Sequence, residues 1–506
     1  MSSKILSAAV IGLEAEIVEV EADTGGGELG IISVVGLPDM AVSESKERVR
    51  SAIKNSGFFL PRVKVTINLA PADLKKHGPS YDLPIAVSLM LAANSFHLAG
   101  QTEAMLFVGE LALSGDIRPI NGVLPIAIKA RDVGIKTVFV PRDNAIEAKL
   151  VKELEVIPVD NLKKLVRHLQ ENELIEPAVY QEFDFSKVDT LNDMAHIRGQ
   201  EHVKRAMEIA AAGAHNMLMF GPPGSGKTLI ARTMPSILPN LSLTEALEIT
   251  KIYSVAGQLP NDVSLMNSRP FRSPHHTASG VALVGGGTLP KPGEISLAHR
   301  GVLFLDEFGE FPRPVLENLR QPLEDGVIHV SRAAGNLCFP AKFILVAAMN
   351  PCPCGYSGDK EKQCICTSSQ IINYRKKISG PMIDRIDLHI EVPRIKFDKL
   401  SSVELGESSR EIKNRIEQAR NIQLQRFNEE PFITNSEMSS EAVKKYCQVD
   451  EAAKEIMRKA VDQLHLSARA YFRILKLART IADLSKVENI QTAHLAEALQ
   501  YRPKLE

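Results

Sequence analysis

Eight consecutive residues carry the clearest chemistry in the chain: Gly221, Pro222, Pro223, Gly224, Ser225, Gly226, Lys227 and Thr228. The apolar run Met217-Leu-Met-Phe220 precedes them and a helical stretch, Leu229 to Met234, follows. A strand, a glycine-rich loop and a helix in that order suit the binding of phosphates. The glycines let backbone N–H groups converge on phosphate oxygens, and the helix N-terminus adds the positive end of its dipole. In this pattern Lys227 reaches the β- and γ-phosphates and Thr228 ligates a cation, so ATP with Mg²⁺ is the expected cofactor pair. A second apolar run, Val302-Leu-Phe-Leu305, ends in Asp306-Glu307. Acids after a strand are common, but beside a phosphate loop they acquire roles. Asp306 is expected to hold Mg²⁺ and Glu307 to polarise the attacking water.

Phe343-Ile-Leu-Val-Ala-Ala-Met349 reads as another buried strand, ending at Asn350. An amide at that tip can hold the attacking water from the far side; a turn-forming Asn before Pro351 is the plainer alternative. Close by, Cys352, Cys354, Cys364 and Cys366 form Cys-x-Cys, nine residues, then Cys-x-Cys. Four of the six cysteines within fifteen residues do not suggest a disulfide scaffold. Four thiolates suit a closed tetrahedral Zn²⁺ site. A metal-free thiol cluster and an iron–sulfur or redox role are the other readings. Cys338 and Cys447 look like isolated buried thiols.

Together these pieces resemble the magnesium-chelatase-like AAA+ ATPases. Further matching strings are Arg269-Pro-Phe-Arg-Ser-Pro-His-His-Thr277, Pro290-Lys-Pro-Gly-Glu-Ile-Ser-Leu-Ala-His-Arg-Gly301, Asn350-Pro-Cys-Pro-Cys-Gly355 and Ala478-Arg-Thr-Ile-Ala-Asp-Leu484. The resemblance covers nearly the whole chain and is strongest to a bacterial branch linked to competence. It implies a ring, expected to be a homohexamer, that hydrolyses ATP. For that branch it also implies movement on branched or single-stranded DNA without sequence preference, and branch migration during natural transformation. In such enzymes Asn350 would be the first sensor. Arg385, in Met382-Ile-Asp-Arg-Ile-Asp387, would be the arginine supplied to a neighbouring subunit, with Arg320 in reserve. Arg469 would be the second sensor, with Arg473 one turn on as its competitor.

A second resemblance, to the proteolytic domain of Lon, lies in the N-terminal block. Gly78-Pro-Ser80 stands where Lon-like proteases carry the nucleophile, and Gly109-Glu-Leu-Ala-Leu-Ser-Gly115 and Arg118-Pro-Ile-Asn-Gly122 match a later strand. Leu124 occupies the place of the catalytic Lys. A Ser hydroxyl needs a base within hydrogen-bond reach to become a nucleophile, so this block is expected to be non-proteolytic.

The elements that position these groups follow from length and patterning. The 506 residues suggest about three domains. The expected fold is α/β: a Lon-like domain over 1–170, a linker over 171–193, an AAA+ core with a helix-2 insert over 194–395, and a helical lid over 396–506. Lys plus Arg is 60 and Asp plus Glu is 61, which excludes a bulk polycation. Contacts to DNA must then come from local loops. Lys291, in an expected insert hairpin, and Arg332, at the tip of a second hairpin over Gly326–Phe343, are the candidates. Adjacent His275 and His276, read as one strand, would point to opposite faces and take structural or surface roles. No apolar run is long enough to cross a membrane and the first strand lacks the features of a signal peptide, so a cytoplasmic location is expected. A chelatase-type or protein-remodelling motor is the alternative function.

Overall fold

Two kinds of strand build the molecule. The computed structural model describes residues 2–25, 31–60, 63–98, 104–185, 192–260, 263–287, 290–332, 335–359, 361–394, 406–464 and 466–502. The chain divides into two units, Met1–Asp184 with Leu243–Asn267, and Phe185–Ser242 with Ser268–Glu506.

In the first unit, Glu14–Gly25 alternates buried and open positions, the pattern of a strand covered on one face. It pairs antiparallel with Ser2–Ile11 and with Lys64–Ala70. The seven strands run in the order Ile32–Val35, Lys64–Ala70, Glu14–Gly25, Ser2–Ile11, Met105–Phe107, Thr137–Pro141, Glu155–Val159. The helix Asp82–Ala92 is apolar on all sides and almost wholly buried, as a helix inside a core must be.

The segment 243–267, inside the stretch 194–395 read as the ATPase core, packs with this first unit. The reason lies in its helix, Leu243–Ala256, which buries Ala246, Ile249 and Ile252. The Ser254 hydroxyl donates to buried Glu147 and accepts from the Gly122 amide at 3.0 Å, and Lys251 pairs with Glu14 at 2.7 Å.

The second unit carries a five-stranded sheet, all parallel, in the order Phe271–Arg272, Val302–Leu305, Ile344–Met349, Met217–Phe220, Leu388–Glu391. Every residue of Val302–Leu305 and of Ile344–Met349 is buried. Such continuous apolar runs fit a parallel sheet covered on both faces. Beyond it come the helices Ser409–Arg426, Ser440–Tyr446, Glu451–Leu464, Ala468–Leu484 and Thr492–Gln500. They share a core with the sheet, in which Met217, Val346 and Leu388 join Ile412, Ile474 and Ile481. The Asp483 carboxylate, itself buried, receives Arg426 at 2.9 Å, Asn435 at 2.8 Å and Arg479 at 3.1 Å. A buried charge so fully bonded holds the last helices in register.

Candidate active site

In a parallel α/β sheet, ligands bind beyond the carboxyl ends of the strands. The phosphate loop leaves the strand Met217–Phe220 at that edge and enters the helix Lys227–Ile237. Gly224 and Gly226 adopt φ of 75° and 88°, a region where side chains are strained, and no other atom lies within 4 Å of where their Cβ would be. Gly221 is pressed the other way: a Cβ there would sit 2.2 Å from the Val392 carbonyl oxygen. Tight backing on one side and open space on the other make an open cradle along the loop.

Lys227 Nζ donates to the carbonyls of Gly221 at 2.8 Å and Pro222 at 3.0 Å, and to Asn350 Oδ1 at 3.3 Å. Burial lowers the Lys227 pKa, partly offset by Asp306, so the ammonium stands where a phosphate charge would restore what desolvation removes. Thr228 Oγ1 donates to Asp306 Oδ2 at 2.7 Å. The Glu307 amide donates to Asp306 Oδ1 at 2.9 Å. A Lys, a hydroxyl, a half-buried carboxylate and an open glycine cradle fit a nucleotide triphosphate with its Mg²⁺.

Three participants were not legible in the sequence. Gln200, with φ 57°, donates to the Ser225 carbonyl at 3.2 Å and to the Pro393 carbonyl at 3.0 Å, tying the phosphate loop to the end of the last strand. Its only signal is the Gly199-Gln200 pair just before a helix. The second is His276. The strand there ends at Arg272, so His275 and His276 do not alternate across a sheet as expected; their rings lie 4.1 Å apart. His276 Nδ1 is 3.1 Å from Glu307 Oε2, and Glu307 itself has φ 51°. The third is Glu324, on the helix Arg320–Asp325. It bonds both Arg385 and Arg469, the latter at 2.6 Å. Burial works to raise the Glu324 pKa, but the two guanidinium groups hold it below the usual range.

Among the described residues, neither Arg385 nor Arg469 bonds to Lys227, Thr228, Asp306 or Asn350. Arg473 donates to the carbonyls of Asp384 at 2.9 Å and Ile386 at 2.8 Å, capping the turn that carries Arg385. Arg320 pairs with Glu317 and donates to Ser379 at 3.0 Å. Lys291 is exposed, in a short pairing of Gly285–Gly286 with Lys291–Pro292. The second expected hairpin is present as Val327–Arg332 paired with Gly335–Pro340; the Arg332 side chain lies outside what is described.

The four cysteines converge. Cys352 Sγ is 3.4 Å from Cys354 Sγ and 3.7 Å from Cys364 Sγ, Cys354 and Cys364 are 3.6 Å apart, and all four sulfurs lie within 4.8 Å of one another. A disulfide would bring two sulfurs to about 2 Å. Tetrahedral thiolates at about 2.3 Å from Zn²⁺ stand about 3.8 Å apart, close to the spacing seen. Backbone amides of Cys354 and Ser357 donate to Cys366 Sγ and Cys352 Sγ at 3.4 and 3.3 Å, as amides do around metal thiolates. The amide of Tyr356 pulls the Cys354 thiol down to about 6. Cys447 is buried as expected, but Cys338 is exposed on its hairpin strand.

In the first unit, Ser80 lies on a short helical turn, Pro79–Tyr81. Leu124 is fully buried and its amide donates to Glu147 at 2.9 Å. An apolar, buried side chain at that position supplies no base.

Comparison with known proteins agrees with this geometry. Residues 193–400 match the family described as magnesium chelatase, subunit ChlI; residues 18–144 match subunit ChlI of Mg-chelatase and residues 406–502 its C-terminal part. The chain is 43% identical over 506 residues to the competence protein ComM of Haemophilus influenzae, covering 98% of this chain and 97% of that one. It is 42% identical over 496 residues to YifB of Salmonella typhimurium, covering 98% and 96%. A Lon protease of Chloroflexus aurantiacus is 30% identical over 166 residues, 31% of this chain and 20% of the protease. No helix among the described residues is long and apolar enough to cross a membrane. With its phosphate loop and parallel sheet, the chain belongs to the magnesium-chelatase-like AAA+ ATPase family, in the branch that contains YifB and ComM.

Proposed function

We propose that this AAA+ ATPase assembles as a ring, expected to be a homohexamer, and couples ATP hydrolysis to movement along DNA and migration of branched junctions, in the uptake of homologous DNA. The observation that carries the DNA reading is the 43% identity with a competence protein over nearly the full length of both chains. Lys291 and Arg332, on hairpins, would grip phosphates without reading sequence.

On this reading Lys227 exchanges its loop carbonyls for the β- and γ-phosphate oxygens, which relieves its desolvation. Thr228 and Asp306 would hold Mg²⁺, which supplies charge neutralisation on the phosphates. Asn350, already on Lys227, would hold the attacking water from the far side, and Glu307, once released by His276, would polarise it. Arg385 and Arg469 share Glu324 rather than the phosphate loop. Arg385 would serve a neighbouring subunit's nucleotide, and Arg469 would act as the second sensor. Cys352, Cys354, Cys364 and Cys366 would hold one structural Zn²⁺.

The test is a synthetic four-way DNA junction incubated with ATP, with ADP, and with the Lys227→Ala protein plus ATP. Resolution into duplex arms with ATP alone supports the proposal. ATP turnover without action on junctions or forks would leave the ATPase intact and move the substrate to a protein or chelatase-type partner.

A further inference from the structure

The cysteine loop touches the ATP site at more than one point. It starts two residues after Asn350, whose amide oxygen receives Lys227. Cys352, the first ligand candidate, is fully buried. At Gly355 the loop turns with φ 85°, and a Cβ there would lie 2.5 Å from Cδ and 2.6 Å from Cγ of Pro223 in the phosphate loop. No side chain fits between the Cys-Pro-Cys-Gly turn and the loop that cradles phosphate.

The far end is also held. After Cys366, Thr367 caps the helix Ser368–Arg375 with reciprocal bonds to Gln370. Buried Tyr374 on that helix lies 3.2 Å from where a Gly309 Cβ would be, in the turn just after Glu307. On the outer side, Arg394 lies 3.2 Å from Asp359 and 5.4 Å from the ring centre of Tyr356. Arg394 follows the strand Leu388–Glu391, the neighbour of the phosphate-loop strand. A cavity of about 710 Å³ lies between these parts, with Ser357, Gly358 and Asp359 on the cysteine-loop side and Gly199, Gln200 and Pro222 on the other.

Between Cys352 and Cys366 the loop's large apolar side chains are Tyr356 and Ile365, too little apolar surface to hold it in one shape. The four sulfurs are what closes it, and a metal bound there fixes a turn that otherwise pays its own ordering entropy. We propose that a thiophilic divalent cation of the zinc class, held by Cys352, Cys354, Cys364 and Cys366, sets the affinity of the ATP site. It does so by holding the Gly355 turn against Pro223 and Asn350 beside Lys227. The inference rests on the four-thiolate reading of the cluster and goes beyond a structural clip, because it makes nucleotide binding depend on metal occupancy.

The test uses the full-length protein, purified under reducing conditions. Metal content is measured by mass spectrometry of the elements, and binding of a fluorescent ATP analogue is titrated in excess Mg²⁺. Both are repeated after treatment with a zinc-selective chelator and after zinc is restored. The expected result is about one zinc per chain. Removal should weaken nucleotide binding about tenfold or more, the size expected from losing one or two placed hydrogen bonds, and re-addition should restore it. Gly355→Ala is the second arm, since it leaves the four sulfurs in place; it should keep zinc and weaken the analogue to a similar degree. Zinc present, with binding unchanged within about twofold after its removal and in Gly355→Ala, overturns the coupling and leaves the metal reading standing. Protein that takes up no zinc or other thiophilic cation overturns the metal reading and the coupling with it.

Discussion

Glu147 and Asp306 are carboxylates of the two different units, and their partners differ in kind. Glu147 is buried and its oxygens are taken by the Ser254 hydroxyl, the Leu124 amide and the Asn144 amide group. Asp82, in the same unit, is held by Arg48 at 2.8 and 3.0 Å and by the Leu111 amide. These groups are satisfied by neighbours within their own unit. Asp306 instead bonds Thr228 and its own neighbour's amide, beside Lys227 and open glycines. Its partners are themselves ligand-type groups, and each can release it for a better one. Where polar groups close on one another they hold a fold; where they surround free space they bind something.

The sharpest way to break this contrast is Lys227→Ala. Loss of a charge placed on the transferred phosphate should lower ATP turnover by roughly 100- to 1,000-fold, measured as phosphate release, while the thermal transition of the protein changes little. Turnover within a few fold of the parent would remove the phosphate-loop assignment. Glu307→Gln comes next. It should lower kcat by about 100-fold with binding of an ATP analogue retained. His276→Ala should have a much smaller effect on kcat. Parallel losses in both variants would instead make the pair structural, like those of the first unit.

Much of the second unit is visible in the residues themselves, because its strands are continuous apolar runs and its loop residues have one common use. The strand ends and the pairing of Thr228 with Asp306 follow from pattern, whereas the bond from Lys227 to Asn350 does not. The pairings that depend on chain return were not visible. Glu324 lies 61 residues before Arg385 and 145 before Arg469, and nothing local marks it as their shared partner. Gln200 and Glu307 adopt left-handed backbone conformations that no sequence rule assigns to those residue types. The packing of 243–267 with the first unit includes a buried bond, Ser254 to Glu147, between residues 107 positions apart. The fold class was legible, while the partners of Arg385, Arg469 and Glu307 were not.

Glu147 sharpens the comparison on the structural side. Burial raises its pKa, and the bonds from Ser254, Leu124 and Asn144 only partly lower it again. A carboxyl whose folded pKa lies above its unfolded value favours the folded state while both are protonated, and that contribution is lost as pH rises from about 4.5 through the folded pKa. Glu147→Gln keeps the acceptor for Ser254 and Leu124 and removes the ionisation, so the share of the first unit's pH dependence that Glu147 carries above that point should be lost. Glu147→Ala leaves buried donors unpaired and should cost about 1–3 kcal/mol. Amide exchange of peptides from the first unit reads both, and ATP turnover should be nearly unchanged. A large loss of turnover in Glu147→Gln would mean that this carboxylate also serves the motor.

The smallest expected effect belongs to Ser80. It sits in the position that a Lon-like resemblance would give to a nucleophile, yet a hydroxyl is a weak nucleophile without an adjacent base. By that resemblance Leu124, a buried apolar side chain, takes the place of such a base, and Glu147, which accepts from the Leu124 amide, is already committed to three donors. Ser80→Ala should therefore leave stability within about 0.5 kcal/mol of the parent and ATP turnover unchanged. A serine-directed fluorophosphonate should label parent and variant alike. Stoichiometric labelling of the parent that vanishes in Ser80→Ala would show that the first unit keeps an activated hydroxyl, supplied with a base from a group other than Leu124. The contrast between a unit that closes on its polar groups and one that opens them to a ligand would then fail at that residue.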